Sequence, residues 1–439
     1  MRPRVDGSAR LEGSSLGGRD TGEPGMRILL AVHNAYTDHT SGAALTMRIL
    51  MRWMAQDGHD TRVLATARFD ARPPGSVQQH LGAHGISPRR VPPSRAFLAS
   101  VKHRPANLGP GRPTLEFTLD NVPVTMLLTS APRNTPADHF EGDQFLFLLD
   151  QVLEEFRPDL LVTYGSHPVV QEAMRRARER GAVTVFRLAN FGYEDPSFFT
   201  HVDHVIACSR FLAGHYRQRL GLRSTPLESA IDWDDVEAPD DLRRFVTFVN
   251  PSPHKGSMLF ARLADMLGSE RPDIPMLVVQ SATAAGGLNA IPGLDFRKYP
   301  QIMAAPATPR PADFFALTRI LLVPSTFAEP FGRVAAEALV NGVPPLVSDR
   351  GALPETVGGG GLVLPLPAWL TPETLELPSP EEVRPWFDAV CGLWDSPERY
   401  AAASEAARAT GEQLYHERVM RKRYREYFES LGAGENLFL

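Results

Sequence analysis

The feature that most constrains this chain is an alternation of short apolar runs with helix-period segments, which plays out twice. Residues 26–32 form an apolar run of the length expected for a buried parallel strand. After a polar loop, Ala44, Met47, Leu50, Met51 and Met54 recur at helical spacing, and Gly58 supplies a stop. Residues 61–66 read as a second strand. Strand-like runs follow over 122–128, 160–164, 183–188 and 205–208, with helical patterns over 140–156 and 169–180 among them. Between Ile231 and Leu242 the sequence turns acidic and loop-like, with Asp232, Asp234, Asp235, Asp240, Asp241 and Pro239. The alternation then restarts, with strands over 245–249, 276–279, 320–323 and 345–347 and helices over 258–267 and 333–340. Strand–helix alternation predicts parallel sheets covered on both faces. The 439 residues exceed what one core usually holds. The expected fold is therefore α/β, with two doubly wound, Rossmann-like domains facing a central cleft. Ligands of such sheets sit beyond the carboxyl ends of the strands.

The boundaries expected from this pattern are a disordered leader over 1–25, a first domain over 26–235, a second over 242–411, and a C-terminal part over 412–439 packing back toward the first domain. Within that last part a single helix is expected over about 412–431, with Tyr415, Val419, Tyr424, Tyr427 and Phe428 as its apolar side. The Pro/Gly-rich stretch 73–113 reads as a long surface excursion.

Composition excludes several function classes. A net charge of −5 offers no basic field for nucleic acid. The two cysteines, Cys208 and Cys391, are too far apart and too few for a disulfide framework or a zinc knuckle, so a reducing, cytoplasmic setting is expected. No apolar run approaches the roughly 18 residues that span a membrane, and the first 25 residues lack the apolar stretch of a signal peptide. Basic runs at 175–180 and 421–425 read as solvated helix faces, with peripheral contact to anionic lipid as the sharper alternative. Residues 13–17 match G-x-S-x-G in letters only, since no strand precedes them. No G-x-G-x-x-G follows the first strand, and no G-x-x-x-x-G-K-[ST] occurs. No Asp-x-Asp clamp for a metal–diphosphate follows a strand, so neither a metal nor a cofactor is expected.

The segment richest in chemistry runs from Ile320 to Leu339. A buried strand ends at Pro324, a turn follows, and a helix begins near Gly332. Unpaired N–H groups around Phe331 to Arg333 make a ready anion or hydroxyl site. Glu329 lies just before that helix and Glu337 about a turn inside it. Two polyol contacts flanking an anion site suit a nucleotide sugar, whereas an isolated pair of glutamates would more ordinarily be a capping acid and an exposed helix residue.

The whole segment resembles the E-x7-E motif of retaining glycosyltransferases of the GT-B fold (the "glycosyl transferases group 1" type). Its flanks match as well: Glu329-Pro-Phe-Gly, then Asn341-Gly-Val-Pro, Ser348-Asp and Gly351-Ala-Leu-Pro-Glu355. The resemblance implies that Glu329 touches the donor sugar, that Glu337 binds the ribose, and that Phe331, Gly332 and Arg333 lie along the sugar and phosphates. Phe248-Val-Asn-Pro-Ser-Pro-His-Lys-Gly256 is similar to the family's basic loop, which implies a diphosphate contact for Lys255 and Gly256. The family's arginine five residues before that lysine is here Asn250, which adds no charge; Arg333 or Arg210 would then complete the neutralisation. Ser41-Gly-Ala43 stands where the family has a Gly-rich turn, which makes Gly42 a donor contact. Residues 157–167 look like a strand ending in His167, expected to line the cleft and counted with Glu329 and Lys255 as catalytic. Where many members carry a histidine near the transferring sugar, this chain has Arg187-Leu-Ala-Asn190, so Arg187 and Asn190 are expected in the acceptor or sugar pocket.

The function so implied is metal-independent transfer of a sugar from a nucleotide-diphosphate donor, UDP first on family frequency, to a small-molecule, saccharide or lipid hydroxyl, with retention of configuration. The alternatives are a phosphorylase or nucleotide-sugar epimerase on the same fold, and a catalytically silent partner subunit that binds nucleotide sugar. Oligomeric state is not legible in the sequence.

Overall fold

In a computed structural model, the described residues are 25–70, 75–100, 111–129, 139–280, 295–431 and 437–438. The leader, all but Gly25, therefore lies outside them, as does the match at 13–17.

The apolar runs build two sheets. The first contains β1 (Arg27–Ala31), β2 (Asp60–Thr66), β3 (Arg89–Val91), β4 (Thr114–Leu119), β5 (Val122–Leu127), β6 (Leu160–Thr163), β7 (Val183–Leu188), β8 (His204–Ala207) and β9 (Thr225–Pro226). Their order is β3-β4-β5-β2-β1-β6-β7-β8-β9, parallel except where β4 pairs with β3 and β5. The second contains β10 (Phe245–Val249), β11 (Met276–Val279), β12 (Ile302–Ala305), β13 (Thr318–Val323), β14 (Pro345–Ser348) and β15 (Leu362–Leu364). Its order is β12-β11-β10-β13-β14-β15, parallel throughout. Each sheet reverses its strand order beside its first strand, the place where doubly wound folds open a crevice.

Helices α1 (Gly42–Gln56), α2 (Val77–Ala83), α3 (Arg95–Ser100), α4 (His139–Phe156), α5 (Pro168–Glu179), α6 (Arg210–Leu220) and α7 (Trp233–Val236) go with the first sheet. Helices α8 (Ser257–Glu270), α9 (Ala312–Phe315), α10 (Arg333–Val340), α11 (Leu353–Val357) and α12 (Pro380–Asp395) go with the second, and α13 (Pro397–Tyr415) and α14 (Glu417–Glu429) close the chain. In α1 the apolar side Met47, Leu50, Met51 and Met54 is fully buried against the sheet. One core cluster fills the first domain and continues through the apolar side of α10 to Tyr415, Tyr424 and Phe428, so the two halves share buried surface.

Two expectations are corrected. The single helix over about 412–431 is two helices, because His416 adopts extended backbone (φ −59°, ψ 137°) and caps α14, its Nδ1 accepting from the Arg418 N–H. Trp233 holds the break, donating from Nε1 to the Tyr415 carbonyl at 2.8 Å with its ring 4.8 Å from that of His416. Second, the stretch read as a surface excursion contains α2, β3 and α3 and leads into β4, which turns into β5 through Asp120 and Asn121, both at positive φ (54° and 64°). Two consecutive left-handed residues are the signature of a type I′ hairpin.

The basic runs are internally neutralised. Arg175, Arg176, Arg178 and Arg180 pair with Glu172, Glu179, Asp150 and Asp203. Arg421, Lys422, Arg423 and Arg425 pair with Asp57, Glu426 and Glu228. They are ion-paired helix faces, with little charge left over for an anionic surface. Among the described residues no helix is long and apolar enough to cross a membrane.

Candidate functional site

The loops at the carboxyl ends of β1, β6, β7, β10 and β13 converge on one cavity of about 500 Å³ between the sheets. On the second-domain side two turns build it. The turn after β10 brings Asn250 and Lys255 to its wall; the turn after β13 brings Ser325 and Glu329, and then the start of α10.

These turns touch through Gly256, which has φ 86°; a Cβ there would sit 1.9 Å from the Pro324 carbonyl oxygen. Only glycine permits both the left-handed backbone and that approach. Its product is an ion pair: Lys255 Nζ donates to Glu329 Oε1 at 2.6 Å, Ser325 Oγ donates to the same oxygen at 2.7 Å, and the ammonium lies 4.9 Å from the centre of the Phe327 ring. Glu329 is buried, while Lys255 is about a third exposed toward the cleft.

A second pair lies one helical turn on. Gly332 caps α10 with φ 88°, and a Cβ on it would meet the Leu353 side chain at 2.5 Å. Among the described residues, the N–H groups of Gly332, Arg333 and Val334 make no hydrogen bond, as expected at a helix start, and all three residues line the cavity. Arg333 Nε donates to Glu337 Oε1 at 2.8 Å. Burial raises the Glu337 pKa, and Arg333 works against that rise. Arg333 also reaches across the cleft, donating from Nη1 to the Ala230 carbonyl at 2.8 Å. The Phe331 ring packs edge-on to Tyr415, so this residue offers the cavity its backbone more than its ring.

Asn250 lines the cavity at φ 62°, a left-handed conformation that asparagine tolerates and arginine disfavours, and its Oδ1 is buried without a partner. Arg187, only 1% exposed, also lines the cavity; it donates to Tyr424 Oη at 3.2 Å and Ser229 Oγ at 2.9 Å, and its Nε has no partner. Lys255 and Arg333 each have a carboxylate. Arg187 has only neutral partners among the described residues, so it is the cavity's uncompensated cation.

On the first-domain side, Gly42 opens α1 and lines the cavity, 3.8 Å from the Arg333 side chain when measured from an added Cβ. Asn190 lines it too, with Oδ1 accepting from the Gly192 N–H at 2.9 Å. Of the residues expected at the site, all but His167, Gly256 and Arg210 reach the cavity lining. Gly256 acts behind it, as the contact between turns. His167 caps α5, accepting from the Val169 N–H at 3.2 Å, and stacks on His33 with ring centroids 4.3 Å apart. Its Nδ1 is spent on the helix end, and the residue is not in the lining, where the expectation had it. Arg210 likewise lies outside the lining; its backbone N–H donates to Glu355 at 2.8 Å. Sequence reasoning missed Ser325 as the second partner of Glu329; its signal was the Pro-Ser pair four residues before the acid.

Solved structures with this architecture include a glycosyltransferase from Rickettsia africae ESF-5, with a TM-score of 0.63 at 13% identity over 93% of this chain and 100% of that one. HepE of Anabaena, crystallised with UDP and glucose, superposes with a TM-score of 0.60 at 16% identity, over 92% of this chain and 100% of that one. Sucrose-phosphate synthase from Thermosynechococcus elongatus gives 0.61 at 15%, again over 92% and 100%. The chain has the GT-B fold. The family model described as "Glycosyl transferases group 1" matches residues 301–368, a stretch that holds both Glu329 and Glu337. No curated protein sequence matches the chain. In GT-B terms, the β10–β15 domain carries the Glu329–Glu337 helix start, and the β1–β9 domain faces it across the cavity.

Proposed function

We propose that the chain is a glycosyltransferase that moves a sugar from a nucleotide-diphosphate donor to a hydroxyl acceptor, with UDP as the nucleotide and retention of configuration. The observation that carries this reading is the convergence, in one interdomain cavity, of the Lys255–Glu329 pair, the unpaired N–H groups opening α10, and Glu337 one turn inside. An anion site between two carboxylates suits a diphosphate between a sugar and a ribose.

In this reading the N–H groups of Gly332, Arg333 and Val334 and the Lys255 ammonium take the diphosphate. Glu329, released from Lys255, accepts from sugar hydroxyls, and Glu337 accepts from the ribose. Arg187 adds the positive charge that Asn250 lacks. As the bond to the diphosphate breaks, the acceptor hydroxyl enters on the face the leaving group vacates, and a phosphate oxygen takes its proton. No side chain is required as general base, so the protein acts by orientation and by stabilising the departing charge. Closure of the cleft keeps water from the activated sugar. HepE, crystallised with UDP and glucose, and a pneumococcal O-GlcNAc transferase, crystallised with UDP and GlcNAc, share the fold and support the choice of nucleotide.

The test is a donor screen followed by turnover. A UDP-sugar should raise the melting temperature, and nucleotide should be released only when an acceptor is present. Lys255→Ala and Glu329→Ala should each lower turnover by about tenfold or more, about 1.4 kcal/mol of transition-state stabilisation, with the protein still folded by circular dichroism. Near-normal turnover in both variants sinks the site assignment. Release of nucleotide without acceptor would favour a hydrolysing epimerase, and formation of a sugar phosphate from saccharide and inorganic phosphate would favour a phosphorylase.

A further inference from the structure

Beside the first-domain wall of the cleft, three imidazoles converge that the sugar chemistry does not use. His80 and His84 stand four residues apart at the end of α2, so both rings leave the same face of one helical turn. His39 reaches them from the loop between β1 and α1 and itself lines the cavity. One nitrogen of each ring lies within 4.8 Å of the other two. The ring centroids are 4.6 Å apart for His80 and His84, and 6.0 and 6.2 Å from His39 to each.

Two details separate this group from a chance cluster. The first is at His39, whose Nδ1 is shut off from solvent and has no hydrogen-bond partner. Buried polar atoms are rarely left this way unless something absent from the chain completes them. The second is at His84, whose Nδ1 lies 2.8 Å from the His80 carbonyl oxygen. A carbonyl only accepts, so Nδ1 carries a proton, which leaves Nε2 as the atom that can ligate, the arrangement in which metal-bound histidines are held by an outer hydrogen bond.

We propose that His39, His80 and His84 form a site for one divalent transition-metal ion of zinc's class, with three imidazole ligands and a fourth position facing the cleft. Imidazole donors select zinc, cobalt, nickel or copper over magnesium and calcium, which prefer oxygen. Three histidines with one position left for water or substrate is a recurrent zinc arrangement. With zinc–nitrogen distances of about 2.1 Å, a tetrahedral site brings its nitrogens to about 3.4 Å from one another. The present spread, up to 4.8 Å, exceeds that by up to about 1.4 Å, within reach of side-chain rotation at a helix end and a loop. The ion would pin α2 to the loop that leads into Gly42, and its fourth position would take a water or an acceptor oxygen. This site differs in kind from an acidic clamp on a diphosphate, and it carries no spacing signal because His39 is 41 positions from His80.

The experiment uses the full chain without an affinity tag, stripped with chelator and titrated with Co(II) and then Zn(II). One equivalent of cobalt should bind with the intense visible absorption of a four-coordinate ion, and zinc should displace it. His39→Ala and His84→Ala should each weaken binding by about a hundredfold or more. His84 is exposed, so its loss should leave the fold intact, as circular dichroism would show. His201→Ala, away from the cluster, should bind as the parent does. Absence of saturable uptake, or uptake unchanged in both cluster variants, overturns the proposal. Because the readout is metal binding, its failure is separable from failure of the glycosyltransferase reading.

Discussion

Asn250 and Arg187 together show how the cavity manages its charge. At position 250 the backbone is left-handed, which suits asparagine and would cost an arginine about 1–2 kcal/mol. In the proposed reading the missing cation is offset by Arg187, held at the cavity wall by the hydroxyls of Tyr424 and Ser229 rather than by an acid. Nearby, burial decides the state of another ring. His33 has both ring nitrogens buried without partners, and burial first, then the charges of His167 and Arg68, lowers its pKa to about 3. The folded chain thus keeps His33 neutral, whereas the unfolded chain protonates it below about pH 6.5. The unfolded state binds the extra proton, so stability is full above pH 6.5 and declines as pH falls from there toward 3, by up to about 1.4 kcal/mol per pH unit for this one group. Replacing His33 with Phe should remove close to one proton from the slope of unfolding free energy against pH between 6 and 4.5. Urea denaturation at a series of pH values measures it, and an unchanged slope would reassign the acid sensitivity to other histidines.

At the scale of elements, the site depends on two turns held in contact. Gly256 permits this, and the pairing of Lys255 with Glu329 follows from it. Gly256→Ala should place a methyl group on the Pro324 carbonyl at a strained φ, costing about 3 kcal/mol of stability. The measurement is the urea midpoint, compared with Gly82→Ala, whose added Cβ meets nothing within 4 Å. Loss of the same size in both variants would refute the close-contact argument. These turns were legible in the sequence because their strands are continuous apolar runs buried on both faces, and because Glu329 and Lys255 stand beside helix starts. The hairpin of β4 and β5 was not read, since its signal is a bare Asp-Asn pair with no glycine. Nor was the break at His416: periodicity runs through it, and only the packing of Trp233, nearly two hundred positions away in sequence, fixes it. His167 falls outside the lining for a related reason. A histidine at a strand's end can face the cleft or cap the next helix, and Pro168 at the first helical position favours the cap.

At the scale of the molecule, the question is what holds the two sheets in register around the cavity. Ser209 Oγ donates to the Pro330 carbonyl at 2.6 Å, and Arg333 donates to the Ala230 carbonyl. Helix α14 returns to the first domain, where Tyr424 Oη donates to the Glu228 carbonyl at 2.7 Å. The most exposed of these links is Glu355, whose two carboxylate oxygens accept from the Arg210 and Phe211 N–H groups at 2.8 and 2.9 Å. A carboxylate from one domain thereby caps a helix of the other, where it meets both free N–H groups and the positive end of the helix dipole. Ser209 still caps α6 from within, through the Leu212 N–H, so the helix itself should survive loss of Glu355. Glu355→Ala should therefore act on the joint: about 1–2 kcal/mol less stability, and a larger radius of gyration by small-angle scattering as the domains part. Since the proposed donor bridges the cleft, saturating UDP should restore the parent's radius. If the variant scatters as the parent does, Glu355 serves α6 alone and the remaining contacts, α14 above all, set the distance between the domains.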